Sequence, residues 1–232
     1  MRISGACRCG MHRKLTGMNV SHILYYSPGA CSLAPHIVLE EIGEPFEARR
    51  TAIAEGKHLS PDYLRLNPRG RVPTLVIDDQ PVTEAAAILL HLAHRHASLN
   101  LLPAGAVARA RCFEWLLFLA ASVHIAYAQL WRPRRFLPPE ADETALVSSG
   151  KADVARYNGE IEAKVPAGWL LGDRFSIADA YLFPFYRWGV RIGLDMEKTA
   201  PKWTRWKDRM LDRPAVQRAL ATEGIGTSWA PA

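Results

Sequence analysis

The chain has 232 residues, 49% of them apolar, enough for one large core or two smaller cores sharing an interface. Its 29 Lys and Arg outnumber 23 Asp and Glu, but Arg2, Arg8, Arg13 and Lys14 lie in the first 22 residues, which hold no acid. From Ile23 onward the balance is nearly even, which argues against nucleic acid as a partner.

Residues 1–22 read as a disordered extension, and Met18 stands just before the first strand-like run. They lack the apolar stretch of a secretory signal, and no later segment reaches about 18 uninterrupted apolar residues, so no membrane is expected and the protein reads as cytoplasmic. Cys7 and Cys9 form a C-x-C pair with no second pair to complete a site, so no metal is expected. Ile23 to Tyr26 is a short buried strand ended by Ser27-Pro28-Gly29. A helix follows, with Leu33, Ile37, Val38 and Ile42 on one stripe, Pro35 in its first turn and Gly43 at its end. Phe46 to Ala52 reads as a second strand, parallel to the first because of the crossover.

Ser60-Pro61 starts a short helix to about Leu66, and Asn67-Pro68-Arg69-Gly70 breaks it. Val72 to Ile77 and Pro81 to Thr83 flank the acidic turn Asp78-Asp79-Gln80 as a hairpin, and Glu84 to His96 is helical with Ile88, Leu89 and Leu92 inward. Beyond Leu102-Pro103 five helices are predicted, over 107–131, 144–164, 177–192, 202–211 and 215–221. The expected organisation is a mixed α/β domain over 23–98, ordered β-α-β-α-β-β-α, and an all-helical domain over 107–224.

Cys31 follows a strand and a glycine turn, in the first turn of the first helix. Unpaired N–H groups and the positive end of the helix dipole would lower its pKa there, and His36, one turn on, would add charge when protonated. The alternative reading is a small core residue. Ala34 stands where a C-x-x-C would place its second cysteine, which excludes dithiol cycling. Pro73 heads a strand, and residue statistics alone favour a trans Val72–Pro73 bond. Thr83-Glu84-Ala85 opens a helix whose free N–H groups suit a carboxylate. Ser176-Ile177-Ala178-Asp179 is a capping box with Phe175 as a hydrophobic staple, a structural element. His124 lies mid-helix among apolar neighbours, where a structural histidine is the commoner case, and the tryptophans read as core and groove lining.

Four blocks in order, Tyr25 to His36, Asn67 to Pro73, Thr83-Glu84 and Ser176 to Asp179, resemble the bacterial beta-class glutathione transferases, over about Ile23 to Leu220. The resemblance implies a thioredoxin-like first domain that binds glutathione, a helical second domain that holds an electrophile, and a homodimer. It implies that Cys31 contacts the glutathione sulfur and can form a mixed disulfide with it. Val72 would pair its backbone with the cysteinyl part, Pro73 would be the family's cis-proline, and Glu84 and Ala85 would hold the γ-glutamyl end. Ala85 lacks the hydroxyl many members carry there, so weaker binding is expected. His124 would face the active site as a catalytic residue, and Ile125 stands where lysine is common, which predicts a more apolar electrophile side.

The implied activity is conjugation of the glutathione thiolate to small hydrophobic electrophiles, with thiol transfer through Cys31 as a second outcome. The rival is a non-catalytic adaptor or ligand carrier on the same fold. Such adaptors typically lack the cysteine and the glutathione-site residues, so Cys31, Pro73 and Glu84 favour the enzyme.

Overall fold

The computed structural model describes residues 22–227 and residue 229. The Cys7–Cys9 pair and the expected extension lie outside the described residues, except His22, which opens the first strand. The first domain runs β1 (His22–Tyr26), α1 (Leu33–Ile42), β2 (Glu47–Arg50), α2 (Pro61–Leu66), β3 (Thr74–Ile77), β4 (Gln80–Thr83) and α3 (Ala85–Arg95). The sheet order is β2-β1-β3-β4, with β1 parallel to β2 and antiparallel to β3. This is the mixed sheet of a thioredoxin-like domain. The hairpin turn is only Asp78-Asp79, both at positive φ (46° and 64°), the geometry of a two-residue turn that matches strand twist, and Gln80 pairs with Ile77.

The second domain is helical: α4 (Ala106–Phe118), α5 (His124–Trp131), α6 (Thr144–Lys164), α7 (Ile177–Arg191), α8 (Met196–Thr199), α9 (Pro201–Leu211) and α10 (Pro214–Glu223). The single helix expected over 107–131 is divided by a π-helical turn at Leu119–Val123, so α4 and α5 form one interrupted rod. By length and composition alone Ala106–Trp131 is apolar enough to cross a membrane. In the fold it packs on α6 and α7. Four-residue α8 was not foreseen.

Every residue of α1 from Leu33 to Leu39 is buried, His36 included. A helix buried all round needs cover on all sides, and α1 packs against β1 and α3 of its own domain and against α7 and α10 of the second. The two cores are therefore continuous, and the helix after Cys31 is the element they share.

The capping box at α7 is larger than a local cap. The buried Asp179 carboxylate accepts hydrogen bonds from Ser176 N (2.9 Å), Ser176 Oγ (2.7 Å), Leu170 N (2.9 Å) and Trp206 Nε1 (3.2 Å). It ties the loop before α7 and helix α9 to the start of the inner helix.

Candidate active site

A cavity of about 570 Å³ opens between the domains, lined from one side by Cys31, Val72, Pro73, Glu84 and Ala85 and from the other by His124, Ile125, Tyr181 and Trp188. All six site residues expected from the sequence share this one cavity.

On the first-domain side, three turns shape the wall. Gly29 sits at φ +66°, a conformation that favours glycine, and the Arg187 guanidinium occupies the space a Cβ would take. Ser32 Oγ donates to Ser27 O (3.2 Å) and accepts from Ser27 N (3.1 Å), closing the turn that carries Cys31. The second turn ends in a cis Val72–Pro73 bond, so the expectation from residue statistics fails and the one from the resemblance holds. Asn67 Nδ2 braces it by donating to Arg71 O (2.7 Å). Among the described residues Val72 N–H has no partner, while Val72 O accepts from Cys31 Sγ at 3.4 Å. The third is Glu84, whose φ of 69° turns the chain into α3; no side chain caps that helix, and Thr83, Glu84 and Ala85 at its start line the cavity with the Arg69–Glu84 ion pair (2.9 Å).

Two expectations about Cys31 are corrected. It lies two residues ahead of the first helical residue, Leu33, and it is buried. Burial pushes its thiol up to about 12, outweighing the opposing effects of Arg132 and the backbone N–H groups of Cys31 and Ser32. A thiol so held stays protonated at neutral pH. His36 does not serve it either: His36 Nδ1 pairs with Glu223 Oε1 at 2.9 Å, away from the cavity.

His124 lines the cavity with its ring edge-on to Trp188 (centroids 5.1 Å) and Phe185 (6.1 Å). Burial first, then the positive charges of Arg132, Arg135 and Arg71, lower its pKa to about 4, so it stands neutral at physiological pH. Ile125 reaches the cavity beside Ala120, Ala128, Trp131 and Trp188, and the same wall also carries Arg132, Arg135, Arg187 and Arg191. Seven arginines line the cavity, Glu84 is the one carboxylate among the lining residues, and among the described residues Arg50 and Arg69 alone of the seven form ion pairs, with Glu55 and Glu84. The helical wall is cationic.

Residues 29–95 match the family model for the glutathione S-transferase N-terminal domain, and 128–214 match the one for its C-terminal domain. Glutathione S-transferase GstA of Escherichia coli O157:H7 is 36% identical over 205 residues, covering 87% of this chain and 98% of that protein. The chain belongs to the glutathione S-transferase family. A glutathione transferase homolog from Sulfitobacter, solved with bound glutathione, superposes with a TM-score of 0.82 at 30% identity, covering 89% of this chain and 100% of that one. The beta-class glutathione S-transferase of Sphingomonas chungbukensis gives 0.76 at 35% identity, covering 88% and 100%. The protein is thus a glutathione transferase, and its resemblance to the bacterial beta class holds.

This transferase also uses residues that sequence reasoning missed. Gly29 N donates to Glu223 Oε2 (2.8 Å) and Gly29 O accepts from Trp188 Nε1 (2.9 Å), so the turn before Cys31 is clamped by α10 and α7. Glu223 is buried, and burial raises its pKa against the pull of His36 and Gly29 N–H. Glu223 lies nearly 200 positions from Gly29, and no local pattern marks it.

Proposed function

We propose that the cavity binds glutathione and conjugates its sulfur to a small electrophile held against α5 and α7, with thiol transfer through Cys31 as a second outcome. The observation that carries this reading is the convergence of a free Val72 N–H, an uncapped α3 start and the Cys31 thiol on one wall. The γ-glutamyl carboxylate suits the N–H groups of Ala85 and its neighbours, with the Arg69–Glu84 pair facing the ammonium and carboxylate. The cysteinyl backbone suits Val72, whose carbonyl is released when the Cys31 thiol turns to the ligand sulfur.

A neutral Cys31 thiol is a hydrogen-bond donor, so it stabilises a glutathione thiolate rather than repelling it. For conjugation the glutathione proton leaves to solvent, the sulfur attacks the electrophile, and neutral His124 is placed to hydrogen-bond the substrate. For thiol transfer Cys31 must first lose its own proton, then attack a glutathionylated disulfide, forming Cys31–glutathione and releasing the other thiol.

The test is paired kinetics of wild type and Cys31→Ala with a chlorinated aromatic electrophile and a small glutathione mixed disulfide. The expected result is loss of mixed-disulfide formation and of most thiol transfer, with conjugation reduced by about 10²–10³ at most, as for loss of one oxyanion-hole donor. Unchanged disulfide reduction would remove Cys31 from the mechanism. A protein that is not retained on glutathione resin and is inert with electrophiles would favour the adaptor reading. A homodimer is part of the proposal: Val107 and Leu117 on α4 are large apolar side chains left exposed, and sedimentation at micromolar concentration giving a 25.8 kDa species would refute it.

A further inference from the structure

Three of the unpaired arginines form one group. Arg71 comes from the loop ahead of Val72, Arg132 ends α5 and Arg135 closes the short turn Pro133–Arg135, and all three line the cavity. None has a carboxylate within 4.0 Å among the described residues. They repel one another: the charge of Arg71 disfavours both Arg132 and Arg135, and Arg132 disfavours Arg135. Arg132 is also largely withdrawn from water, and a guanidinium so placed without a partner is costly unless an anion joins it.

The group continues an apolar stripe. Ala120, His124, Ile125 and Ala128 line the cavity along one face of the rod, and the chain that leaves α5 after Trp131 adds Arg132 and, in the turn Pro133–Arg135, Arg135 to the same lining. A flat apolar body laid along the stripe would bring a terminal anionic group to the guanidinium cluster. His124, kept neutral by its burial and these same charges, adds no competing positive charge.

We propose that the second substrate is an electrophile bearing a carboxylate, which Arg71, Arg132 and Arg135 receive while its apolar ring lies against Ala120, Ile125 and Ala128. This rests on the conjugation reading and names the substrate class for it. Arginine forks match carboxylates bidentately, and a cavity wall of one sign also draws in anions over a distance. The same chemistry could come from the glycine carboxylate of glutathione, so the test separates the two sources.

The probes are 4-chloro-3-nitrobenzoate and 4-chloro-3-nitrobenzamide. In each, the glutathione sulfur forms the C–S bond, the C–Cl bond breaks with chloride taking the electron pair, and the thiol proton passes to solvent. Rates are divided by the uncatalysed rate with glutathione to remove intrinsic reactivity. The wild type is expected to favour the benzoate by about 10-fold or more at low salt, less as ionic strength rises, as follows from the strength of hydrogen bonds between charged groups. Arg132→Gln, and separately the more exposed pair Arg71→Gln with Arg135→Gln in case the first misfolds, should cut that ratio about 10-fold while glutathione affinity, read by tryptophan quenching, moves much less. Equal turnover of both probes by the wild type overturns the proposal. So do variants that keep the ratio but lose glutathione affinity, which would assign the arginines to glutathione's own carboxylate. If neither probe is turned over, the conjugation reading fails separately, and unreactive 3-nitrobenzoate against 3-nitrobenzamide, titrated into the glutathione-loaded protein, decides the anion site. Tighter benzoate binding sustains the site and equal binding rejects it.

Discussion

The first-domain wall of the cavity offers main-chain groups, the Val72 amide and the open start of α3, alongside the side chains of Cys31, Arg69 and Arg71, whereas the helical wall carries His124, Ile125, Trp188 and four arginines. A main-chain wall demands backbone geometry at a few positions, a glycine at Gly29, a cis bond before Pro73 and a positive φ at Glu84, and tolerates change elsewhere. A wall carried by side chains can be rewritten one residue at a time, which is why the proposed electrophile is assigned to the helical side. The two are not independent, because Glu223 and Trp188 of the helical domain hold the Gly29 turn of the first.

Asp179→Ala should give the largest stability effect, since it strands buried donors from Ser176, Leu170 and Trp206 at about 1–3 kcal/mol for each group left unpaired, for a total of about 3 kcal/mol or more. Urea unfolding measures it, and a loss under 1 kcal/mol would show that α7 is positioned by packing alone. Glu223→Ala tests the clamp between the walls. It removes the acceptor of Gly29 N–H and the partner of His36, which should cost about 2 kcal/mol. Glutathione affinity should fall with it, and an unchanged affinity would mean that the Ser27–Ser32 hydrogen bonds hold the turn unaided. Ser176→Ala, which removes the hydroxyl but leaves the Asp179 contacts to Leu170 and Trp206, should cost only about 1 kcal/mol in the same urea experiment.

The smallest effect is electrostatic. His124 has a pKa near 4 in the folded protein against 6.5 for the ordinary side chain, so below about pH 6.5 the unfolded chain binds a proton that the folded one refuses. Stability therefore falls on acidification, with His124 contributing about 0.7 kcal/mol between pH 7 and pH 6 by linkage. His124→Phe should lose that part of the slope. An identical slope in the variant would mean that His124 carries a proton in the fold, against the field of the neighbouring arginines.

Much of this was legible from one end of the chain to the other. The order of elements along the chain, the Ser60-Pro61 start, the Gly43 stop and the Asp179 cap rest on contacts within a few residues, so short patterns report them. The glutathione wall was legible for the same reason, being carried by contiguous blocks around Cys31, Pro73 and Glu84. The charge on the helical wall was not legible, because Arg132, Arg135, Arg187 and Arg191 are scattered along the chain, and a scattered arginine looks like any solvated surface charge.

The sequence by itself determined the element order, because local pattern and turn chemistry act between neighbours, and its ordered motif blocks gave the family; the resemblance also pointed to six residues that share the cavity. Tertiary structure alone decided how those residues ionise and what surrounds them. Cys31 stands at the address that lowers a thiol's pKa, yet burial between the domains raises it, because desolvation depends on everything packed around the sulfur and not on its place beside a helix. His36 likewise lies one turn from Cys31 but faces Glu223, since the helix carrying it is enclosed by both domains.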